Sequence, residues 1–242
     1  MLYPRGRITF LAAAMACLPA CVQVFGQNTT EQQFVARSEE LIRTEQLSEA
    51  DRFLKQGIRA YPQSGSLYNL IGIVAAEENR SLDAEAAFRK AVQYSPALTP
   101  ALLNLARVFY GEGKSDAAIQ TYKRALRFDS RLEEAHANLA ALLLDKQDYA
   151  GAEQHLSALP DSVRNQNRFL AMRCAALAGA GKLDRARESA DRMTGAVTEE
   201  DVSLAAFTLA RLHRNALVIE MLERVPKDKS SRELRGLLAR VS

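Results

Sequence analysis

The sequence predicts an all-α fold of stacked helix–turn–helix units, and three observations carry that prediction. Alanine recurs at Ala50, Ala84, Ala118, Ala152 and Ala186, 34 residues apart each time. Four residues after each stands Leu54, Phe88, Tyr122, Leu156 or Ala190, and a four-residue step keeps one face of a helix. Pro62 and Pro96, again 34 apart, follow aromatic ends (Tyr61, and Tyr94 with Ser95) where proline stops a helix. On this reading "AEAAFRKAVQYSP" (84–96) and "AIQTYKRALRFDS" (118–130) are the same helix written twice.

Taken in order, the chain opens on a leader. Arg5 and Arg7 precede an apolar run from Ile8 to Leu18 and then small residues, the layout of a secretory signal. The run is too short to stay in a bilayer as a spanning helix. "VFG" before Gln27 suits ordinary cleavage and gives a leader of 1–26. "LPAC", Leu18 to Cys21, resembles a lipobox that would lipidate Cys21, although Pro19 departs from the usual residue at its place. Both endings stay open: a periplasmic or secreted product, or an outer-membrane lipoprotein. The leader holds two of the 32 basic residues, leaving 30 Lys+Arg against 29 Asp+Glu. A near-neutral body without a basic, aromatic stripe argues against nucleic acid as a partner. Only Cys174 lies in the body, so no disulfide framework exists.

Five units follow in phase, 31–64, 65–98, 99–132, 133–166 and 167–200, and 201–242 reads as a degenerate sixth unit with a capping helix. The first helices align as "LYNLIGIVAAEE" (67–78), "ALLNLARVFYGE" (101–112), "AHANLAALLLDK" (135–146) and "FLAMRCAALAGA" (169–180). Tyr68, Leu102, His136 and Leu170 correspond. So do Gly72, Ala106, Ala140 and Cys174, all small enough for a second helix to pack close. Thr99 and Pro100 read as N-cap and N1. The first unit departs from the pattern at Arg37 and Ser38, and the fourth ends early at Leu159-Pro160. The sixth keeps its stripe (Val218, Leu222, Val225) only if about two residues are deleted from its turn, against the 34-residue period.

A 34-residue helix pair with Tyr68, Ile71, Gly72, Ala84, Phe88, Ala91 and Pro96 at these spacings resembles the tetratricopeptide repeat. The resemblance implies a right-handed α-solenoid whose first helices line a concave groove that holds a peptide or protein segment. Its register implies inward positions at Asn69, Leu70 and Ile73, then Leu103, Asn104, Arg107 and Tyr110, then Asn138, Ala141 and Leu144, then Met172. Asn69, Ile73, Asn104, Arg107, Tyr110 and Asn138 are the candidate partner-binding residues. The amides can pair with both N–H and C=O of an extended backbone. Arg107 can clamp a carboxylate, and Tyr110 offers a rigid contact surface. The carboxylate clamp by which some family members hold chaperone C-termini is not reproduced. Val35, Glu39 and Glu134 stand at its places, or Asn69 and Ile73 if it began one unit later.

Chemistry of other kinds finds no support. "GEGKS" (111–115) resembles the tail of a phosphate-binding loop, but Val108 stands where its first glycine belongs, and the stretch joins two helices. His136, His155 and His213 lack metal-ligand spacing, and Cys174 reads as a buried small residue. No catalytic residue, metal or cofactor is expected. The expected function is a non-catalytic interaction scaffold of the bacterial cell envelope with a protein or peptide partner. It meets no membrane unless anchored through Cys21. The alternatives are a lipoprotein assisting assembly of a pilus or secretion machine, and a self-assembling structural protein whose sixth unit is an interface.

Overall fold

The computed structural model describes residues 30–226 and 229–241, so the expected leader and Cys21 lie outside the described residues. The described residues form helices and no strand. They pair as α1 (Glu31–Arg43) with α2 (Leu47–Ala60), α3 (Gly65–Glu77) with α4 (Ser81–Tyr94), and α5 (Thr99–Gly111) with α6 (Ser115–Phe128). Then come α7 (Glu133–Asp145) with α8 (Tyr149–Ser157), a single turn α9 (Asp161–Arg164), and α10 (Asn167–Gly179) with α11 (Leu183–Asp191). The last are α12 (Glu199–Arg211) with α13 (Asn215–Glu223), and α14 (Arg232–Val241). The whole is a right-handed tetratricopeptide-type α-solenoid.

The sequence sets this repetition through a few positions in each pair. Ala84, Ala118, Ala152 and Ala186 are fully buried, and Phe88, Tyr122 and Leu156 fill the space between paired helices. At Gly72 the second helix comes so close that a Cβ would sit 2.4 Å from the Phe88 ring, which is why the smallest residue stands there. Ala106, Ala140 and Cys174 occupy the same place in later units, each fully buried. Burial pushes the Cys174 thiol up to about 12, so it stays a neutral, unreactive SH at ordinary pH.

Every turn between paired helices carries one left-handed residue: Glu45, Asn79, Gly113, Gln147, Gly181 and His213, with φ between 55° and 77°. The first five are 34 residues apart and the sixth only 32. The two missing residues therefore do not come from the sixth unit's turn, as the sequence suggested. They come from the segment after α11, which reaches α12 directly with Met193 and Val197 buried. A second small correction concerns α5. Thr99 is its first helical residue and Leu98 the cap, without a side-chain bond, so Pro100 stands one place later than expected.

The core is divided. Phe34, Leu41, Ala50, Leu54, Leu67, Leu70 and Val74 form a small N-terminal cluster. From Ala75 onward a second cluster runs without interruption to Leu237 in α14, and Ile73 packs against both. Ser38, at the small position of the first unit, is fully buried with an unsatisfied hydroxyl, a local cost that the glycine and alanines elsewhere avoid.

At the C-terminal end the sixth unit touches the fourth as well as the fifth. α12 reaches past α10 to α7: the Arg211 guanidinium donates to the Leu144 carbonyl at 3.1 Å and lies 3.9 Å from Asp145. α10 is enclosed by this arrangement, with nine of its thirteen residues buried. Its alanines at 171, 175, 176 and 178 leave room for neighbours on several sides. Met172 and Leu144, which the repeat register placed toward the groove, are core residues, 2% and 0% exposed. The groove that the sequence extended through the fifth unit is closed there.

Candidate functional groove

The candidate residues stand on the first helices α3, α5 and α7, and α12 touches α7 beyond them. Two of the expected residues sit inside rather than on the surface. Asn69 and Asn104 are 8% and 7% exposed, and the Asn104 amide donates to the Asn69 carbonyl oxygen at 2.9 Å. Arg107 donates to the Asn104 oxygen from the groove side. These amides bond one another across adjacent first helices. Asn138 is half-buried and donates to the Tyr122 hydroxyl at 3.0 Å. That phenol is pushed up to about 12, chiefly by burial and then by the Glu134 carboxylate, with the Asn138 bond acting in the opposite sense.

The other candidates face outward. Arg107 is exposed, and its Nε lies 3.4 Å from Glu134 on α7, so an ion pair spans the floor between two units. Tyr110, one turn along α5, is 52% exposed. Ile73 is half-buried and lines a cavity of about 290 Å³ with Ala76, Glu77, Phe88, Asn104, Arg107 and Val108. At the N-terminal end Gln32, Val35, Ala36, Glu39 and Ser66 line a further recess of about 320 Å³. The sequence reading missed Phe207 on α12. It is 41% exposed and nine residues into the sixth unit, the place that Arg107 holds in the third and Ile73 in the second. A register started at Glu199 rather than Asp201 would have found it.

The site offers binding surface and little else. No described cluster of three or more His, Cys, Asp or Glu could hold a metal ion. No described helix is long and apolar enough to cross a membrane. Two histidines meet behind the groove, His136 on α7 and His155 on α8, Nδ1 to Nδ1 at 2.9 Å. The His136 Nε2 faces the Ser130 carbonyl at 3.1 Å and must carry a proton to bond it. With His136 neutral, its Nδ1 is then an acceptor, and His155 Nδ1–H donates. Burial, then His136 and Lys123, push His155 down to about 4, with Asp148 opposing. The pair is a bridge between two helices.

Comparison with known proteins agrees with this geometry. The TPR repeat family model matches residues 106–147, from the middle of α5 through the turn after α7. No curated protein matches the chain in sequence. Among solved structures, the chain is similar to pilF of Pseudomonas aeruginosa, 16% identical over 87% of this chain and 97% of that one, with a TM-score of 0.65. It is similar to YrrB, described as a TPR protein with an unusual peptide-binding site, 15% identical over 81% and 98%, with a TM-score of 0.62. It is also similar to MamA, 15% identical over 76% and 94%, with a TM-score of 0.59. Identities this low speak for the fold, which is the tetratricopeptide-type solenoid.

Proposed function

We propose that the chain is a non-catalytic interaction scaffold that holds a protein or peptide segment in the open part of its concave groove. The observation that carries this reading is a strip on the first helices. Tyr110 stands half-exposed one turn from Arg107, whose pair with Glu134 joins two units, and Phe207, also half-exposed, holds the place of Arg107 on α12. Large exposed aromatics beside an arginine are the composition of binding hot spots. The groove is built by packing, so binding costs the scaffold little ordering. The peptide-binding site named for YrrB supports the reading as a parallel on the same fold. The contact residues proposed are Ile73, Arg107, Tyr110 and Phe207. Asn69, Asn104 and Asn138 hold the floor in place.

On the same proposal the scaffold works in the cell envelope, a reading supported by the leader-like pattern of residues 1–26. Cleavage before Gln27 gives a soluble product, and acylation of Cys21 gives an anchored one that could serve assembly of an envelope machine. The intact mass of the mature protein separates the two. The groove itself is tested with a photo-crosslinking residue at Tyr110 and, as control, at Leu82, which is 78% exposed at the start of α4. A partner joined at position 110 and not at 82, and lost in an equally folded Arg107→Ala/Phe207→Ala chain, supports the groove. Equal crosslinking at both positions removes it.

A further inference from the structure

At one joint between units a carboxylate pairs with a base, and at the last joint the same two places both hold a base. Where α4 meets the turn before α6, Glu85 accepts an ion pair from Lys114 at 3.1 Å. Glu85 is the fifth residue of its second helix and Lys114 directly precedes the next one. The corresponding residues at the earlier joint are Asp51 and Arg80, where Asp51 pairs instead with Lys55 and Arg80 with Glu78 and Asp83. They are Ile119 and Asp148 at the α6–α8 joint, and Glu153 and Lys182 at the α8–α11 joint. Glu153 there lies 3.4 Å from Arg173 and 3.6 Å from Arg185. At the last joint, between α11 and α13, the same two places hold Arg187 and Arg214.

Both arginines are exposed and line one cavity of about 360 Å³ with Leu183, His213, Asn215, Ala216 and Leu217. No carboxylate lines it. Neither arginine side chain enters an ion pair among the described residues. Asp184 and Glu188 flank Arg187 on α11 without reaching the cavity. α11 and α13 both begin here without a side-chain cap, so free backbone N–H groups add to the positive field. Leu183, 38% exposed, and Leu217 supply an apolar wall.

We propose that this cavity is a second docking site, distinct from the groove, which takes a carboxylate side chain from an acidic segment of a partner protein. The incoming carboxylate stands between Arg187 and Arg214 as Glu85 stands beside Lys114, with an apolar neighbour in its segment resting on Leu183 and Leu217. Two guanidiniums facing one recess bind a carboxylate through paired N–H donors. The apolar wall selects a peptide over a free anion.

The test titrates the full chain, nitrogen-15 labelled, with the peptide acetyl-Leu-Glu-Glu-Leu-amide, its Gln-Gln counterpart, and inorganic phosphate. The acidic peptide is expected to shift the amides of residues 183–187 and 213–217, and the Gln peptide to bind about tenfold more weakly. Arg187→Glu makes the acid–base combination that Glu85 and Lys114 form at the α4–α6 joint. It is expected to abolish the shifts while raising Tm by about 1–3 °C. A fall in Tm for Arg187→Glu would show that this side chain does not face Arg214, and would overturn the proposal. So would equal binding of the Gln peptide, or shifts confined to other residues. Phosphate acting as strongly as the peptide would make this a free-anion site and overturn the protein partner. Arg214→Gln, which leaves α11 untouched, must weaken the acidic peptide as well.

Discussion

At the scale of single residues, polar side chains depart most from what their positions suggest. The sequence put Asn69, Asn104 and Asn138 on one side, and the structure spends their amides on each other, on Arg107 and on Tyr122. Side-chain bonds between units depend on offsets of an ångström or two that a repeat register does not carry. The aromatic core position, by contrast, was legible, because its burial follows from helical spacing alone. Tyr122→Ala should cost about 3–5 kcal/mol, as truncation of a fully buried ring does. Tyr122→Phe should cost about 1 kcal/mol, because it only removes the acceptor for Asn138. Equal losses in a denaturant titration would refute that division. The histidine pair gives a pH test. His155 is held near 4 when folded, below the usual histidine value of 6.5, so the fold favours its neutral form. That stability is complete above about pH 6.5 and lost as pH falls toward 4. Thermal melts from pH 7 to 4.5 should therefore show a steeper fall in Tm for the parent than for His155→Gln. A parallel fall would assign the loss to other groups.

At the scale of elements, the 34-residue period was legible because each unit spends the same few residue types on the same contacts. The turn geometry was only partly so. Gly113 announced a helix end, yet Glu45, Gln147 and His213 adopt the same left-handed conformation without any sequence signal. Packing of the helices on either side imposes it against the residues' preference. A crossed pair of substitutions measures the conflict. A Cβ added at Gly113 would meet nothing within 4 Å, so in Gly113→Gln backbone strain is opposed only by the lower unfolded-state entropy of glutamine, and the chain should lose about 0.5 kcal/mol. Gln147→Gly relieves the same strain and, after the greater entropy of an unfolded glycine, should gain about 0.5 kcal/mol. Changes of the same sign in both variants would mean that the two turns differ in conformation.

At the scale of the whole molecule, the closed C-terminal half could not be read from the sequence. It depends on a two-residue shortening after α11 and on a contact from Arg211 to α7, 67 positions earlier in the chain. The consequence is a solenoid with unequal ends. α1 buries only Phe34, Ser38 and Leu41, in a cluster continued by a few side chains of α2 and α3. α10 sits within a cluster that extends from α3 to α14. In a linear array, stability is the sum of unit terms and neighbour contacts, so a loosely joined terminal unit opens first. Hydrogen exchange should then be fastest in α1 and α2 and slowest in α10. Leu54→Ala, in the N-terminal cluster, should speed exchange from α1 to α3 while leaving α10 unchanged. Leu177→Ala, in the enclosed helix, should speed exchange from α7 through α13, because both α7 and α12 pack against α10. Both variants remove a buried leucine of similar exposure, 0% and 1%, so the difference between them reports coupling rather than the size of the cavity. A uniform rise in exchange along the chain in either variant would mean that the two clusters unfold together and that the divided core has no energetic counterpart.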